Sequence, residues 1–244
     1  MAQFDRRQHA FALTLRALGY LLRYPDAEWR AHLNDVCGTL RDSRVLSGNR
    51  LEQIESLAQT IRTADELDAE AAYVELFDRG RGTALHLFEH VHGDSRERGP
   101  AMLDLIATYE QAGLTLRGDE LPDHLTVLLE YASTQPREAA LALLGEVAHI
   151  VQRIHGAVDK RGNAYAAVLG ALLDLAGVRV DTAGGHAHEP EPDLDAAWEE
   201  PAAFDGCGNQ GQQGAGQAQP VHVVRRAPAV DSHAAHSAAR GERA

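Results

Sequence analysis

Residues 11–22 read FALTLRALGYLL. Phe11, Leu15, Leu18 and Leu22 recur at i, i+4, i+7 and i+11, which is one apolar stripe on a helix. Outward from it, Trp29, Leu33, Val36 and Leu40 repeat the spacing as a second helix, with Pro25 between the two. Leu51, Ile54, Leu57 and Ile61 make a third stripe. Thr63 and Glu66 read as a capping box opening a fourth helix that carries Leu67, Ala71, Val74 and Phe77. A short helix is expected over 84–91. The next starts near Pro100 and ends by Gly113, because proline suits the first helical turn. Pro122 and Pro136 precede further helices over 125–132 and 141–154. Tyr165, Leu169, Leu172 and Ala176 form the last, stopped by Gly177. No alternating strand pattern of useful length occurs. The fold class is therefore all-α: one irregular helical-bundle domain over residues 1–182, of roughly eight helices.

Composition agrees. The 244 residues are 44% hydrophobic and only 5% aromatic, which favours helices over sheets. The formal net charge of -13 repels phosphate backbones, so no nucleic-acid partner is expected. It would draw in a cationic partner such as a basic peptide, or else serve solubility alone. Cys37 and Cys207 form no disulfide framework and suit a reducing cytoplasm. No apolar run is long enough for an integral membrane segment. Arg6-Arg7 ahead of an apolar stretch looks like an export signal, but Arg16 interrupts that stretch and no small-residue cleavage site follows; a surface-charged first helix is the better reading.

Residues 183–244 are rich in Gly, Ala, Gln, Pro and His, and are expected to form a flexible low-complexity tail. Within it, 193–204 places Trp198 and Phe204 in an acidic setting, the form of a short docking motif.

Function concentrates in 73–103, YVELFDRGRGTALHLFEHVHGDSRERGPAML. Three chemistries are open there. His86 and His90 at i, i+4, with Glu89 and His92 close by, could share a helical face as metal ligands, but lack the HExxH order and any cysteine, so no metal is assigned. Asp78, Glu89, Asp94 and the histidines could move protons, yet no nucleophile elbow, phosphate loop or catalytic cysteine accompanies them, so no catalytic residue is assigned. The third is peptide recognition, in which Asp/Arg pairs around glycine turns shape a groove lined by Phe77, Leu85, Phe88, Val91 and Leu103. On the residues alone this stands level with ordinary surface ion pairs, each worth about 0–1 kcal/mol.

The segments YVELFDRGR, LFEHVHGDSRERG and LPDHLTVLLEY resemble the motifs of the NarJ family, related to the TorD and DmsD redox-enzyme maturation chaperones, over roughly residues 11–177. The tail element around Trp198 and Phe204 is also similar to a W-E-x-P-x-x-F element of such chains. The resemblance implies an all-α cytoplasmic chaperone, not an enzyme. Its partner would be the apo nitrate reductase catalytic (alpha) subunit, held by an N-terminal peptide related to a twin-arginine signal. It would hold no cofactor of its own, and would assist insertion of bis-molybdopterin guanine dinucleotide into that client. Matched by motif, the client-binding set is Tyr73, Phe77, Asp78, Arg79, Glu89, His90, His92, Ser95, Arg96, Asp123 and His124, with Gly80, Gly93 and Pro122 beside them. A chaperone for a different molybdoenzyme, or a metal-dependent hydrolase centred on His86, Glu89 and His90, are the alternatives. Protonation of His86, His90 and His92 would weaken binding of a basic peptide between about pH 7.5 and 5.5.

Overall fold

The computed structural model describes residues 2–179 apart from Asp94, Gly118 and Asp119. The tail and its Trp198–Phe204 segment lie outside the described residues. Ten α-helices occur among them: α1 (Ala2–Leu21), α2 (Ala27–Ala31), α3 (Leu33–Ser43), α4 (Gly48–Thr63), α5 (Glu66–Tyr73), α6 (Leu87–His92), α7 (Arg98–Gln111), α8 (Leu125–Thr134), α9 (Arg137–Lys160) and α10 (Ala166–Leu175). A π-helical stretch, Val74–Asp78, prolongs α5. The architecture is all-α.

α10 is the centre of the core. Eight of its ten residues, Ala166 through Leu173, are buried, as befits a helix apolar on every side. α9 packs along it with a stripe running Ala140, Leu144, Ala148, Val151, Ile154 and Val158, and α1 and α4 cover other sides. α4 is also tied to α10 by Arg50, whose guanidinium meets Asp174 at 2.8 Å. Gly170 leaves room for it, since a Cβ there would lie 2.6 Å from the Arg50 Nη1. α1 rests on α8 through Gly19, where a Cβ would stand 3.3 Å from that of Leu129.

Three expectations need correction. The helix over Trp29–Leu40 is two helices. The His32 ring engages the Glu28 carbonyl at 2.8 Å, and the backbone turns there into α3. The fourth helix is capped by Asp65, not by a Thr63–Glu66 box: Asp65 accepts from the N–H groups of Leu67 at 3.0 Å and Asp68 at 3.4 Å. Thr63 instead ends α4 and turns its hydroxyl to the Gln59 carbonyl. Finally, the helix expected from Ala84 begins only at Leu87, and His86 is extended, because Leu85 and Leu87 pair with Leu125 and Asp123.

Candidate functional site

The DRGRGT stretch is a turn built on lost helical bonds. In the π segment the Arg79 N–H reaches back five residues to the Val74 carbonyl, 3.0 Å away. π turns inside helices recur at functional positions. The turn is closed by Thr83, fully buried, whose hydroxyl donates to the Leu76 carbonyl and, at 3.1 Å, to that of Gly80. Gly80 is obligatory, since a Cβ would sit 2.7 Å from the Leu76 carbonyl. The turn leaves Asp78 and Arg79 at the surface, with Arg79 3.3 Å from Glu75.

Beyond it, 85–87 lies antiparallel to 123–125. Leu87 N–H donates to Asp123 O at 3.1 Å and Leu125 N–H to Leu85 O at 2.9 Å. His86 and His124 face one another between these bonds, the position in an antiparallel pair where side chains come closest. Their rings meet edge to face with centroids 4.9 Å apart.

Asp123, fully buried, is the hub. One carboxylate oxygen accepts from the Phe88 N–H at 3.0 Å and so caps α6 from another part of the chain. The other stands 3.5 Å from His86 Nδ1, just outside good hydrogen-bond geometry for both atoms. Arg98 approaches Asp123 to 4.0 Å and Glu89 to 3.3 Å. Burial pushes the Asp123 carboxyl up, but His86, the Phe88 N–H and Arg98 outweigh it and hold it below the ordinary carboxylate range. The same carboxylate raises the pKa of His86. Burial instead lowers His124, whose Nδ1 accepts from the Thr126 N–H at 3.4 Å, as a neutral ring can. Asp78 is raised by burial, with His86 opposing.

His90 of α6 is tethered too. His90 Nε2 bonds the Ala84 carbonyl at 2.8 Å, and its own carbonyl accepts from Arg153 of α9 at 3.1 Å. Burial lowers the His90 pKa. His92 meets the Phe88 ring edge to face at 5.4 Å. The hydrolase reading required His86 and His90 on one helical face. His86 precedes α6 in an extended conformation with its Nδ1 turned to Asp123, and the His90 Nε2 is taken by the Ala84 carbonyl.

The motif residues thus divide. Tyr73 and Phe77 are core, their rings 4.9 Å apart, with the Tyr73 hydroxyl donating to Leu22 O at 2.7 Å. Asp123, His124, Glu89 and His90 are brought together around α6. Ser95 and Arg96 lie exposed beyond it. Sequence reasoning missed Thr83 and Tyr109. Tyr109 is the one residue of α7 counted as buried; its hydroxyl donates to Pro122 O at 2.8 Å and fixes the approach to Asp123. A lone aromatic on a helix of aliphatics is the signal that could have found it.

Next to this junction a cleft of about 230 Å³ opens where the end of α1 and the start of α2 face Glu120, His124 and Thr126. Tyr20 and Trp29 stack in its wall, 2° from parallel with centroids 6.1 Å apart.

Residues 46–169, which hold the π turn, α6, α7 and Asp123, match the nitrate reductase delta subunit family. The chain belongs to that family. Its relatives there include the nitrate reductase molybdenum cofactor assembly chaperone NarJ of Escherichia coli K12, 40% identical over 78% of this chain and 85% of that protein. The probable nitrate reductase molybdenum cofactor assembly chaperone NarW of the same strain is 39% identical, over 76% and 80%. The probable NarJ of Bacillus subtilis 168 is 35% identical, over 66% and 86%. These NarJ relatives are named as assembly chaperones, not catalysts, and this member of the family is likewise a chaperone rather than an enzyme. No helix among the described residues is long and apolar enough to cross a membrane.

Proposed function

We propose that this NarJ-family chain serves nitrate reductase assembly by holding the N-terminal segment of the apo catalytic subunit in the cytoplasm. Release would follow once bis-molybdopterin guanine dinucleotide has been inserted into that subunit. The reading is carried by the 40% identity to an assembly chaperone across most of both chains.

The geometry supports a division of labour within the motif set. Buried Tyr73, Phe77 and Asp123 hold the shape, whereas exposed Asp78, Arg79, Ser95 and Arg96, with half-buried His92, meet the client. Val91 on α6, Leu103 on α7 and Leu121 ahead of α8 stay exposed and offer apolar contact to one face of an incoming helix. Three leucines of such a helix would contribute about 1.5–3 kcal/mol each on burial. Ordering the segment takes back about 2–5 kcal/mol. Micromolar to high-nanomolar affinity results, suited to a partner that must let go.

Calorimetric titration of the full chain with a synthetic peptide of the client's N-terminus tests this. Saturable binding in that range is expected, and its marked weakening in an Asp78→Lys, Val91→Ser double variant, which removes a carboxylate and an apolar contact from the exposed set. A chain that binds no reductase N-terminus, or that turns over a small molecule alone, overturns it.

A further inference from the structure

The cleft beside His124 takes only that residue from the client-binding set, yet its chemistry is specific. Its aromatic surface comes from Tyr20, Trp29 and Tyr24, the last 42% exposed. Three carboxylates line it, from Asp26, Glu28 and Glu120, against the single cation Arg23. Asp26 is occupied, accepting from the Trp29 N–H at 2.7 Å. The Glu28 side chain makes no hydrogen bond or ion pair among the described residues. Among the described residues Glu120 pairs with no group but the His124 ring, at 3.7 Å, and burial lowers the pKa of that ring. The cleft therefore carries uncompensated negative charge beside π faces, the combination that attracts a cationic side chain. The protein supplies its own partial example: the Arg23 guanidinium lies 5.7 Å from the centroid of the Tyr20 ring.

We propose that this cleft seats one arginine or lysine side chain of the bound polypeptide, with Glu28 and Glu120 as counter-charges and Tyr20 and Tyr24 as aromatic faces. The proposal rests on the polypeptide-binding reading above, and adds the chemistry of one client residue. Arg23 plays the opposing part. It holds a cationic contact on Tyr20 and repels a second cation, so it limits how tightly the guest is held.

Two sets of measurements test this on the full chain. In the first, the client's N-terminal peptide and a version with every Arg and Lys changed to Gln are titrated calorimetrically into the chain and its variants. Glu28→Gln and Glu120→Gln should each weaken the native peptide about threefold, and Arg23→Ala should strengthen it by a similar factor. None of the three changes should move the Gln version. All three residues are exposed, so folding is retained, and the opposite signs separate charge recognition from general damage. In the second, N-acetyl-arginine amide is added while the Trp29 indole N–H resonance is followed, with the citrulline analogue as control. A shift with arginine alone supports the cleft, even if no client peptide binds and the client reading fails. Client binding indifferent to Glu28, Glu120 and Arg23 overturns the cleft and leaves the client reading standing. Equal response to arginine and citrulline overturns it as well.

Discussion

Two regions of this molecule are held by different forces. Where α1, α4, α8, α9 and α10 meet, the contacts are apolar and dense: Leu15, Leu18, Leu129, Val168 and Leu169 are all fully buried. Between Val74 and Leu125 a few buried side chains, Leu76, Phe77, Leu85 and Leu87, reach that core, and polar tethers hold what lies around them. There α6 has only six residues, and a helix that short does not persist alone in water. The Phe88 N–H, the His90 ring and the His90 carbonyl each reach a partner outside α6 to keep it in place. Apolar burial makes a scaffold that tolerates little change. A polar clip over that scaffold can be adjusted at low cost, which suits a surface that must engage a partner and later release it.

The sharpest test of the contrast is a deletion on each side. Leu129→Ala removes a fully buried side chain where α1 and α8 touch, and should cost about 2–5 kcal/mol in urea denaturation. Asp123→Ala removes the cap on α6 and leaves His86 Nδ1 facing nothing, a global loss of about 1–3 kcal/mol. Its signature is local. Amide hydrogen exchange should quicken across Leu87–His92 well beyond any change in α10, whereas Leu129→Ala should quicken exchange throughout. Uniform exchange in both variants would mean that the clip is no separate unit.

Thr83→Val is milder. It keeps the volume but withdraws the hydroxyl from the Leu76 and Gly80 carbonyls, and should cost about 1–2 kcal/mol by the same denaturation assay. Affinity for a client peptide should fall with it, because Asp78 and Arg79 ride on that turn.

The same contrast explains what could be read from the chain before its structure. Apolar spacing is a local signal, and it located α4, α8 and α10 to within a few residues, and the second half of α1 but not its start at Ala2. It failed where a side chain from elsewhere takes over a backbone group. His32 ends α2 by engaging Glu28 O, Asp65 displaces Thr63 as a cap, and Asp123 caps α6 so that it begins only at Leu87, with His86 extended before it. The motif residues stand out together in the sequence, but which of them are buried and which are exposed does not. Tyr73 and Arg79 look equally functional in sequence. One is 6% exposed and bonds Leu22, while the other lies at the surface. Nothing in the spacing announced the cleft, since Tyr20–Trp29 and Glu120–Thr126 meet only in three dimensions.

The smallest effect expected is electrostatic, and its sign differs between neighbouring histidines. His86 is raised above 6.5 by Asp123, so its contribution to stability is fully present below 6.5 and is lost as pH rises through its folded value. Asp123 is held below 3.8, so its contribution is present above that value and goes only as pH falls through the lower folded one. His90 and His124 are lowered by burial; stability drains away as pH falls below 6.5, where the unfolded chain takes up protons that these buried rings refuse. The clip should therefore be most secure near neutrality. In urea denaturation across about pH 5.5–9, His86→Gln should be most destabilising on the acid side and nearly neutral on the alkaline side. His90→Gln keeps a donor for the Ala84 carbonyl, and should gain relative to the parent as pH falls. The expected weakening of a basic peptide on acidification then draws little from His90, because burial makes that ring resist taking up a proton. Imidazole resonances that titrate together for His86 and His90 would erase the distinction between a ring held charged by a buried carboxylate and one held neutral by burial.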